Sequence, residues 1–262
     1  MNKFYLASFN RASDGALEKL RKKLDEECML TEEYKEADYI IAVGDRVETY
    51  DFVLKMFREN KNIVHLWAGE QGCWAIHDDV YRHSMTLMSD VQLCTNATAK
   101  KLVEELCNTV KKRPNAHVVG NVYLDSIKID NSIVPKEDYD LVLYNPTTRS
   151  KANVKKEIND IIKLLKDKKY IWIEPNGDKY SDLVMPFVNT TNVPRPNFLG
   201  LLKNCRRFIT NSSCMYFEAP FLISKNKIIP IGKRNIERGS KYADMGIPNA
   251  SDNILRILKG LR

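Results

Sequence analysis

The chain of 262 residues lacks any apolar run near the ~20 residues that cross a bilayer. No leader is expected either. The opening Met1-Asn2-Lys3-Phe4-Tyr5-Leu6-Ala7-Ser8 is apolar over too short a span for a signal peptide and runs straight into Arg11 and Asp14. That stretch reads as a first β-strand, and the expected location is the cytoplasm. Cysteine pairs are missing: Cys28, Cys73, Cys94, Cys107, Cys205 and Cys214 are scattered without a CxxC, so reduced thiols are expected. His65, His77, His83 and His117 lack zinc-like grouping, so no metal is expected. No GxGxxG follows the first strand and no GxxxxGK[ST] occurs anywhere, which disfavours a nicotinamide-dependent dehydrogenase and a P-loop nucleotidase.

What is present suits a globular protein. The apolar fraction is 44% and the charged fraction 29%, enough to build a real core in two small domains or one large one. Lys and Arg number 41 against 34 Asp and Glu, a net charge of +7. Clusters such as Arg21-Lys22-Lys23, Lys111-Lys112-Arg113 and Lys225-Asn226-Lys227 fall at predicted helix ends, where cations complement the helix dipole. They read as solvated surface or as attraction for an anionic ligand. They lack interleaved aromatics, so nucleic acid is a minor expectation that the basic charge leaves open.

Short apolar runs alternate with amphipathic segments, the pattern of βαβ units and a parallel sheet. In the first half, strands are predicted at Lys3–Ser8, Tyr39–Val43, Asn62–Leu66, Val91–Cys94 and His117–Val119, with helices over Asp14–Glu27, Thr49–Glu59, Val80–Ser89 and Ala97–Lys111. Leu17, Leu20 and Leu24 recur at helical spacing, with Ser13 or Asp14 as the cap. Ile127–Asp138 has little periodicity and suits a linker. The alternation then restarts, with strands at Leu141–Tyr144, Tyr170–Ile173, Leu183–Val188, Arg207–Ile209 and Ile228–Pro230. Helices are predicted over Lys151–Asp167, Asn197–Asn204, Ser213–Leu222 and Ser251–Gly260. The expected architecture is α/β, two Rossmann-like domains (1–130 and 131–262) facing a cleft, with ligands beyond the carboxyl ends of the strands.

Reactive residue types fall repeatedly just after predicted strands. Phe9-Asn10-Arg11-Ala12 opens a helix whose N-terminus favours anions, and Arg11 can fork onto a phosphate or simply be solvated. Gly44-Asp45-Arg46 leaves the second long strand, with Asp45 either a helix cap or a cleft residue. The densest segment is His65-Leu66-Trp67-Ala68-Gly69-Glu70, followed by His77-Asp78-Asp79-Val80-Tyr81-Arg82-His83. There Asp78 with Arg82, and Asp79 with His83, are i,i+4 neighbours: either an exposed salt-bridged helix or carboxylates converging so that one stays protonated while another acts as base. Thr210-Asn211-Ser212-Ser213 follows an apolar strand and starts a helix, an ordinary cap or a cradle for a pyrophosphate. Glu218 lies further on, where a carboxylate can accept both hydroxyls of a ribose.

Taken together, these segments resemble the UDP-N-acetylglucosamine 2-epimerases, especially the hydrolysing branch that feeds sialic-acid-type sugars. Phe9-Asn10-Arg11-Ala12 is similar to that family's Gly-Thr-Arg-Ala loop, and Gly44-Asp45-Arg46-Val47-Glu48 to its Gly-Asp-Arg-x-Glu. The run from His65 to Glu70, with Asp78-Asp79-x-x-Arg82-His83-x-x-Thr86-x-Met88-Ser89, resembles the block from its Gly-Gly-Glu to its Asp-Asp-x-x-Arg-His-x-x-Thr-x-x-Ser. Val119-Gly120-Asn121 resembles the Val-Gly before the hinge. Pro175-Asn176-Gly177-Asp178, and Asn211-Ser212-Ser213 with Glu218, resemble its uridine-diphosphate motifs.

The resemblance implies a glycosyltransferase-B type fold and no redox cofactor. It implies an enzyme that acts on UDP-GlcNAc or a related UDP-HexNAc by eliminating UDP and adding back water or UDP. It makes Asp45, Glu70 and Asp78 or Asp79 acid/base candidates, with Arg82 orienting them. Arg11, Ser212, Ser213 and Glu218 would grip UDP, with His83, Asn145, Asn176, Asp178 and Asn211 also on the substrate. Asn145 stands where the family places a histidine, keeping a hydrogen bond without the charge. Asp45 follows the first strand sooner than in the family, which implies a minimal N-terminal domain. A UDP-sugar-dependent glycosyltransferase of the same fold and a non-catalytic UDP-sugar binder remain alternatives, and a homodimer is left open.

Overall fold

The computed structural model describes residues 2–9, 11–71, 77–147, 150–191, 193–235 and 247–261, with the backbone alone for 11–14. The chain divides into two compact units, Met1–Gln71 with His77–Ser126 and Lys241–Arg262, and Gly72–Ile76 with Ile127–Ser240.

The first unit runs β1 (Lys3–Ala7), α1 (Arg11–Glu27), β2 (Met29–Leu30), β3 (Tyr39–Val43), α2 (Val47–Arg58), β4 (Asn62–Leu66), α3 (Asp78–Met88), β5 (Val91–Cys94), α4 (Ala97–Thr109), β6 (Ala116–Val118) and α5 (Val122–Asp125). Its six strands are all parallel in the order β2-β1-β3-β4-β5-β6. The winding direction therefore reverses between β1 and β3, and an open sheet of this kind binds its ligand beyond the strand ends at that reversal. Among the described residues α1, the two-residue β2 and a 3₁₀ turn at Tyr34–Glu36 separate β1 from β3.

The period of two along a strand sorts the core. Tyr39, Ile41 and Val43 of β3 pack with Leu17, Leu20 and Leu24 of α1, while Ile40 and Ala42 pack with Val53 and Met56 of α2 and Met85 of α3. Helices thus cover both faces, as a buried parallel sheet requires. Each leucine of the α1 stripe contributes roughly 1.5–3 kcal/mol by leaving water.

The second unit runs β7 (Asp140–Leu143), α6 (Lys151–Leu165), β8 (Tyr170–Ile173), α7 (Arg195–Asn204), β9 (Arg207–Thr210), α8 (Cys214–Phe217) and β10 (Ile228–Pro230). Its four parallel strands follow the order β10-β9-β7-β8, so the reversal lies between β7 and β9. Val142 and Tyr144 pack with Val154, Ile158, Ile161 and Leu165 of α6 and with Trp172. Asp140, fully buried at the foot of β7, is held by Arg206 and Arg207. The α/β class and the two doubly wound parallel sheets expected from the sequence are both present.

The structure adds β2 and α5, which the sequence reading does not include, and departs from it at three further places. Leu183–Val188 is not a strand but 3₁₀ turns at Ser181–Leu183 and Met185–Phe187; Pro186 has no N–H to give a ladder. The helix expected over Ser213–Leu222 is the single turn α8, followed by a 3₁₀ turn at Ala219–Phe221, because Pro220 clashes with the carbonyl one turn back. The last helix, α9 (Ala250–Lys259), was expected to close the second domain. Its stripe of Ala250, Ile254, Leu255 and Leu258 instead buries in the first unit's core beside α1, and Lys23 pairs with Asp252 at 2.6 Å.

Residues 127–138 carry neither helix nor strand, yet part of the segment lies along α7. Asp130 N–H donates to Pro196 C=O at 3.0 Å, and Asn204 and Asn197 donate to Asn131 Oδ1 and Ser132 Oγ. Gly200 makes this possible, since a Cβ there would stand 2.0 Å from the Asp130 carbonyl oxygen.

Candidate functional site

In the first unit the chemistry-bearing residues sit at the carboxyl ends of β3, β4 and β5. Gly44 leaves β3 at φ +81, a conformation open to glycine, and Asp45 follows. Beyond β4, Trp67 has φ +70 and Gly69 φ +73. Trp67 and Ala68 N–H both donate to Leu93 C=O, and a Cβ on Gly69 would stand 2.1 Å from the Ala99 carbonyl oxygen. This tight turn presses against α4 and delivers Glu70 to the start of that helix.

Glu70 is 5% exposed. Its Oε1 accepts from the Thr95 hydroxyl, with Asn96 Nδ2 at 3.5 Å. Asn96 also caps α4, accepting the Ala99 N–H at 2.8 Å. Thr95 and Asn96 were not picked out from the sequence. They directly follow β5, and the rule that flagged the residues after β3 and β4 applies to them equally.

Arg82 is the hub. It is 2% exposed on α3, and its guanidinium spreads over three segments. Nη2 pairs with Asp45 Oδ2, Nη1 with Asp79 Oδ1, and Nη1 also donates to the Glu70 carbonyl at 3.0 Å. The planar fork suits this better than a lysine would. Asp45 does not cap α2, whose N-cap is Arg46, without a side-chain bond. Asp78, one residue before Asp79, lies in the first turn of α3. His83 has its Nδ1 buried without a hydrogen-bond partner among the described residues; burial first, then Arg82, lowers its pKa, with Asp79 opposing.

His65 lies fully buried on β4. Nε2 is 2.9 Å from Gly44 C=O and Nδ1 is 3.0 Å from Thr86 Oγ1. A carbonyl only accepts, so Nε2 carries the proton and Nδ1 accepts from the threonine. Burial, aided by His83, pushes the His65 pKa down to about 4 against the Gly44 bond.

In the second unit the loops after β7 and β9 are laced by asparagines. Asn145 N–H donates to Asn211 Oδ1 at 2.8 Å, and Asn211 Nδ2 donates back to Asn145 C=O at 2.7 Å. Asn145 Oδ1 accepts the Asn176 N–H at 2.9 Å, so that side chain ties β7 to β8. Asn235 Nδ2 donates to Asn211 C=O at 2.6 Å, and Tyr216 OH donates to Asn235 C=O at 2.7 Å. Asp178 Oδ2 accepts from both Nη of Arg234 at 3.2 Å, and Arg234 also donates to Pro146 C=O at 2.9 Å. Arg234 and Asn235 also escaped the sequence reading.

Ser212 N–H donates to Thr210 Oγ1 at 2.9 Å, and Ser212 Oγ lies 3.4 Å from Cys214 N–H, so the turn before α8 is already partly bonded internally. Ser213 is the N-cap of α8 and makes no side-chain cap. Glu218, 5% exposed at the end of α8, has its Oε1 held by Arg195 at 2.8 Å. Burial raises its pKa and Arg195 opposes that rise. The side chain of Arg11 lies outside the described residues. Among the described residues no three His, Cys, Asp or Glu side chains converge as a metal site.

The family model described as UDP-N-acetylglucosamine 2-epimerase matches residues 9–261. The chain is 25% identical over 242 residues to the polysialic acid biosynthesis protein P7 of Escherichia coli, covering 84% of this chain and 61% of that protein. It is 24% identical over 250 residues to the UDP-N,N'-diacetylbacillosamine 2-epimerase (hydrolyzing) of Legionella pneumophila, covering 86% and 63%. The chain thus spans less than two thirds of the length of both curated relatives. Its fold is similar to that of S. aureus MnaA in a co-structure with UDP, with TM-score 0.67 and 14% identity over 99% of this chain and 87% of that one. It is likewise similar to the UDP-GlcNAc 2-epimerase of Neisseria meningitidis bound to UDP-GlcNAc, with TM-score 0.68 and 13% identity over 99% of each.

Proposed function

The chain belongs to the UDP-N-acetylglucosamine 2-epimerase family, and from that membership we propose that it acts on a UDP-HexNAc by eliminating UDP and adding back water or UDP. A carboxylate removes the C2 proton; the C1–O bond breaks and its electron pair leaves with UDP. The resulting 2-acetamidoglucal then takes up water or UDP at C1 and a proton at C2. The product is the 2-epimer, free in the hydrolysing case.

The observation that carries this reading is the convergence on Arg82 of Asp45, Asp79 and the backbone of Glu70. Proton abstraction beside a carbon that loses a leaving group needs more than one titratable group, held in different surroundings. Glu70 is buried and bonded to a hydroxyl and an amide, whereas Asp45 and Asp79 are partly exposed and share a cation. That contrast supports one group serving as base while another delivers the second proton. Asp78 remains a further carboxylate at the start of the same helix.

The second unit would hold the nucleotide at the reversal between β7 and β9. Asn145, Asn176, Asn211, Ser212 and Ser213 shape the loops there, and Glu218 keeps one carboxylate oxygen that Arg195 does not take. Arg11, at the start of α1, and His83 are further candidates for contact with the anion and sugar. The Legionella pneumophila relative, named for UDP-N,N'-diacetylbacillosamine, favours an N-acetylated amino sugar as the hexose.

The test is to incubate the protein with UDP-GlcNAc alone, and in parallel with UDP-N,N'-diacetylbacillosamine, and to follow release of UDP. Release, or exchange of the C2 proton for deuterium in D₂O where UDP adds back, is expected without an added acceptor with at least one of them. Release only when an acceptor is supplied would make the protein a glycosyltransferase, and binding with neither release nor C2 exchange a UDP-sugar binder.

A further inference from the structure

His65 is assigned nothing by the proposed chemistry, yet it sits at its centre. Burying an imidazole requires partners for both nitrogens, because an unpaired polar group in a dry interior is strongly penalised. An apolar side chain would fill the same volume without that demand. Both partners here belong to the segments that carry the Asp45–Arg82 ion pair. Gly44, whose carbonyl takes the Nε2–H, immediately precedes Asp45. Thr86, whose hydroxyl faces Nδ1, lies one turn beyond Arg82 and is also 2.9 Å from its carbonyl oxygen. That carbonyl and Nδ1 draw on the one hydroxyl proton, so the Nε2–H bond to Gly44 is the firmer of the two ring contacts.

Gly44 has no side chain to fix its peptide plane, and its φ of +81 is one among several that glycine adopts readily. Its N–H is held by Leu66 C=O at 3.2 Å, so the bond from His65 to its carbonyl fixes the next peptide plane, the one that leads into Asp45. We infer that His65 is a positioning residue: a hydrogen-bonded strut between β3 and α3 that sets the Asp45 carboxylate against the Arg82 guanidinium, without touching substrate. The inference rests on the proposed function for its kinetic consequences and on geometry alone for the placement of Arg82. Because burial holds the ring neutral over the ordinary range, its role is orientation and not proton exchange.

Three variants test it. His65→Leu removes both bonds, His65→Gln retains an amide N–H able to reach the Gly44 carbonyl, and Thr86→Val removes only the second bond. The expected result for His65→Leu is a fall of about 10²-fold in kcat per folded molecule with KM unchanged, the scale of a misplacement near 1 Å. His65→Gln should recover most of that loss, and Thr86→Val should fall between. Unchanged kcat in His65→Leu, a rise in KM in place of the fall in kcat, or a His65→Gln variant as slow as His65→Leu would each overturn the assignment. If His65→Leu does not fold, the other two decide: slower Thr86→Val with near-normal His65→Gln supports it, and both at the wild-type rate refute it. The guanidinium N–H resonances of Arg82 provide a substrate-free reading. They should be slowly exchanging in the wild type and in His65→Gln, and exchange-broadened in His65→Leu or, where that variant does not fold, in Thr86→Val. Unchanged signals in the variant read refute the strut even if the wild type neither releases UDP nor exchanges the C2 proton, a result that would itself sink only the proposed function.

Discussion

Asn145 and Asn211 hold each other across the reversal of the second sheet. The main-chain N–H and C=O of Asn145 are both taken by the amide of Asn211, at 2.8 and 2.7 Å. One side chain thus satisfies two buried backbone groups of the neighbouring loop, which fixes the loop after β7 to the loop after β9. Asn211→Ala would orphan both groups. The expected outcome is a loss of about 2–4 kcal/mol in urea unfolding, from two unsatisfied buried polar groups. UDP affinity, read by calorimetry, should fall at least tenfold in the fraction that stays folded.

The carboxylates separate by substitution. Glu70→Gln keeps an acceptor for Thr95 and Asn96 and should leave the urea midpoint nearly unchanged, while turnover drops by about 10²–10⁴-fold, the usual worth of a general acid or base. Arg82→Lys keeps the charge but cannot fork onto Asp45 and Asp79 together. Its turnover should fall on the same scale, with a stability loss of about 3 kcal/mol for a broken buried pair.

Much of this was legible in the sequence. Apolar runs at Tyr39–Val43, Asn62–Leu66, Val91–Cys94 and Tyr170–Ile173 are the observed strands, because a buried parallel strand must be apolar on both faces. Gly44, Asp45, Glu70 and Asp79 were visible as glycine turns and acids following strands. What the sequence hid was long-range. Arg82 could pair with either Asp78 or Asp79 by helical spacing, and its partner Asp45 lies on another strand end. Nothing local marks Thr95 as the donor to Glu70, or Arg195 as the partner of Glu218. Residues 183–188 read as a strand by apolarity alone, although Pro186 forbids one. The amphipathic stripe of α9 announces a helix but not which core receives it.

Two glycines with similar backbone angles should respond differently to alanine. At Gly44 a Cβ meets only the Trp67 ring at 3.5 Å, ordinary contact, so Gly44→Ala should cost about 1–2 kcal/mol from the left-handed backbone alone. At Gly69 the Cβ would stand 2.1 Å from the Ala99 carbonyl oxygen. Gly69→Ala should therefore cost more than about 4 kcal/mol or prevent folding, and paired thermal melts distinguish the two.

Stability should depend on pH through His65. Its pKa falls from 6.5 to about 4 on folding, so between those values the unfolded chain binds more protons and stability rises with pH. Acidification from pH 7 to pH 4 should remove about 3 kcal/mol by this group, since each pKa unit is worth about 1.4 kcal/mol. Urea titrations of wild type and His65→Gln across that range check it: the difference between the two should shrink as pH falls, and a constant difference would mean that His65 does not titrate on unfolding.

The central claim is proton removal at C2 of a UDP-linked amino sugar by the acid group gathered around Arg82. It is tested most directly by proton NMR of UDP-GlcNAc, or of UDP-N,N'-diacetylbacillosamine, incubated with the protein in D₂O. The expected result is loss of the H2 signal and deuterium at C2 of the product, with UDP released where water adds and conserved where UDP adds back, and absent with Glu70→Gln. UDP release with C2 fully protonated would contradict it.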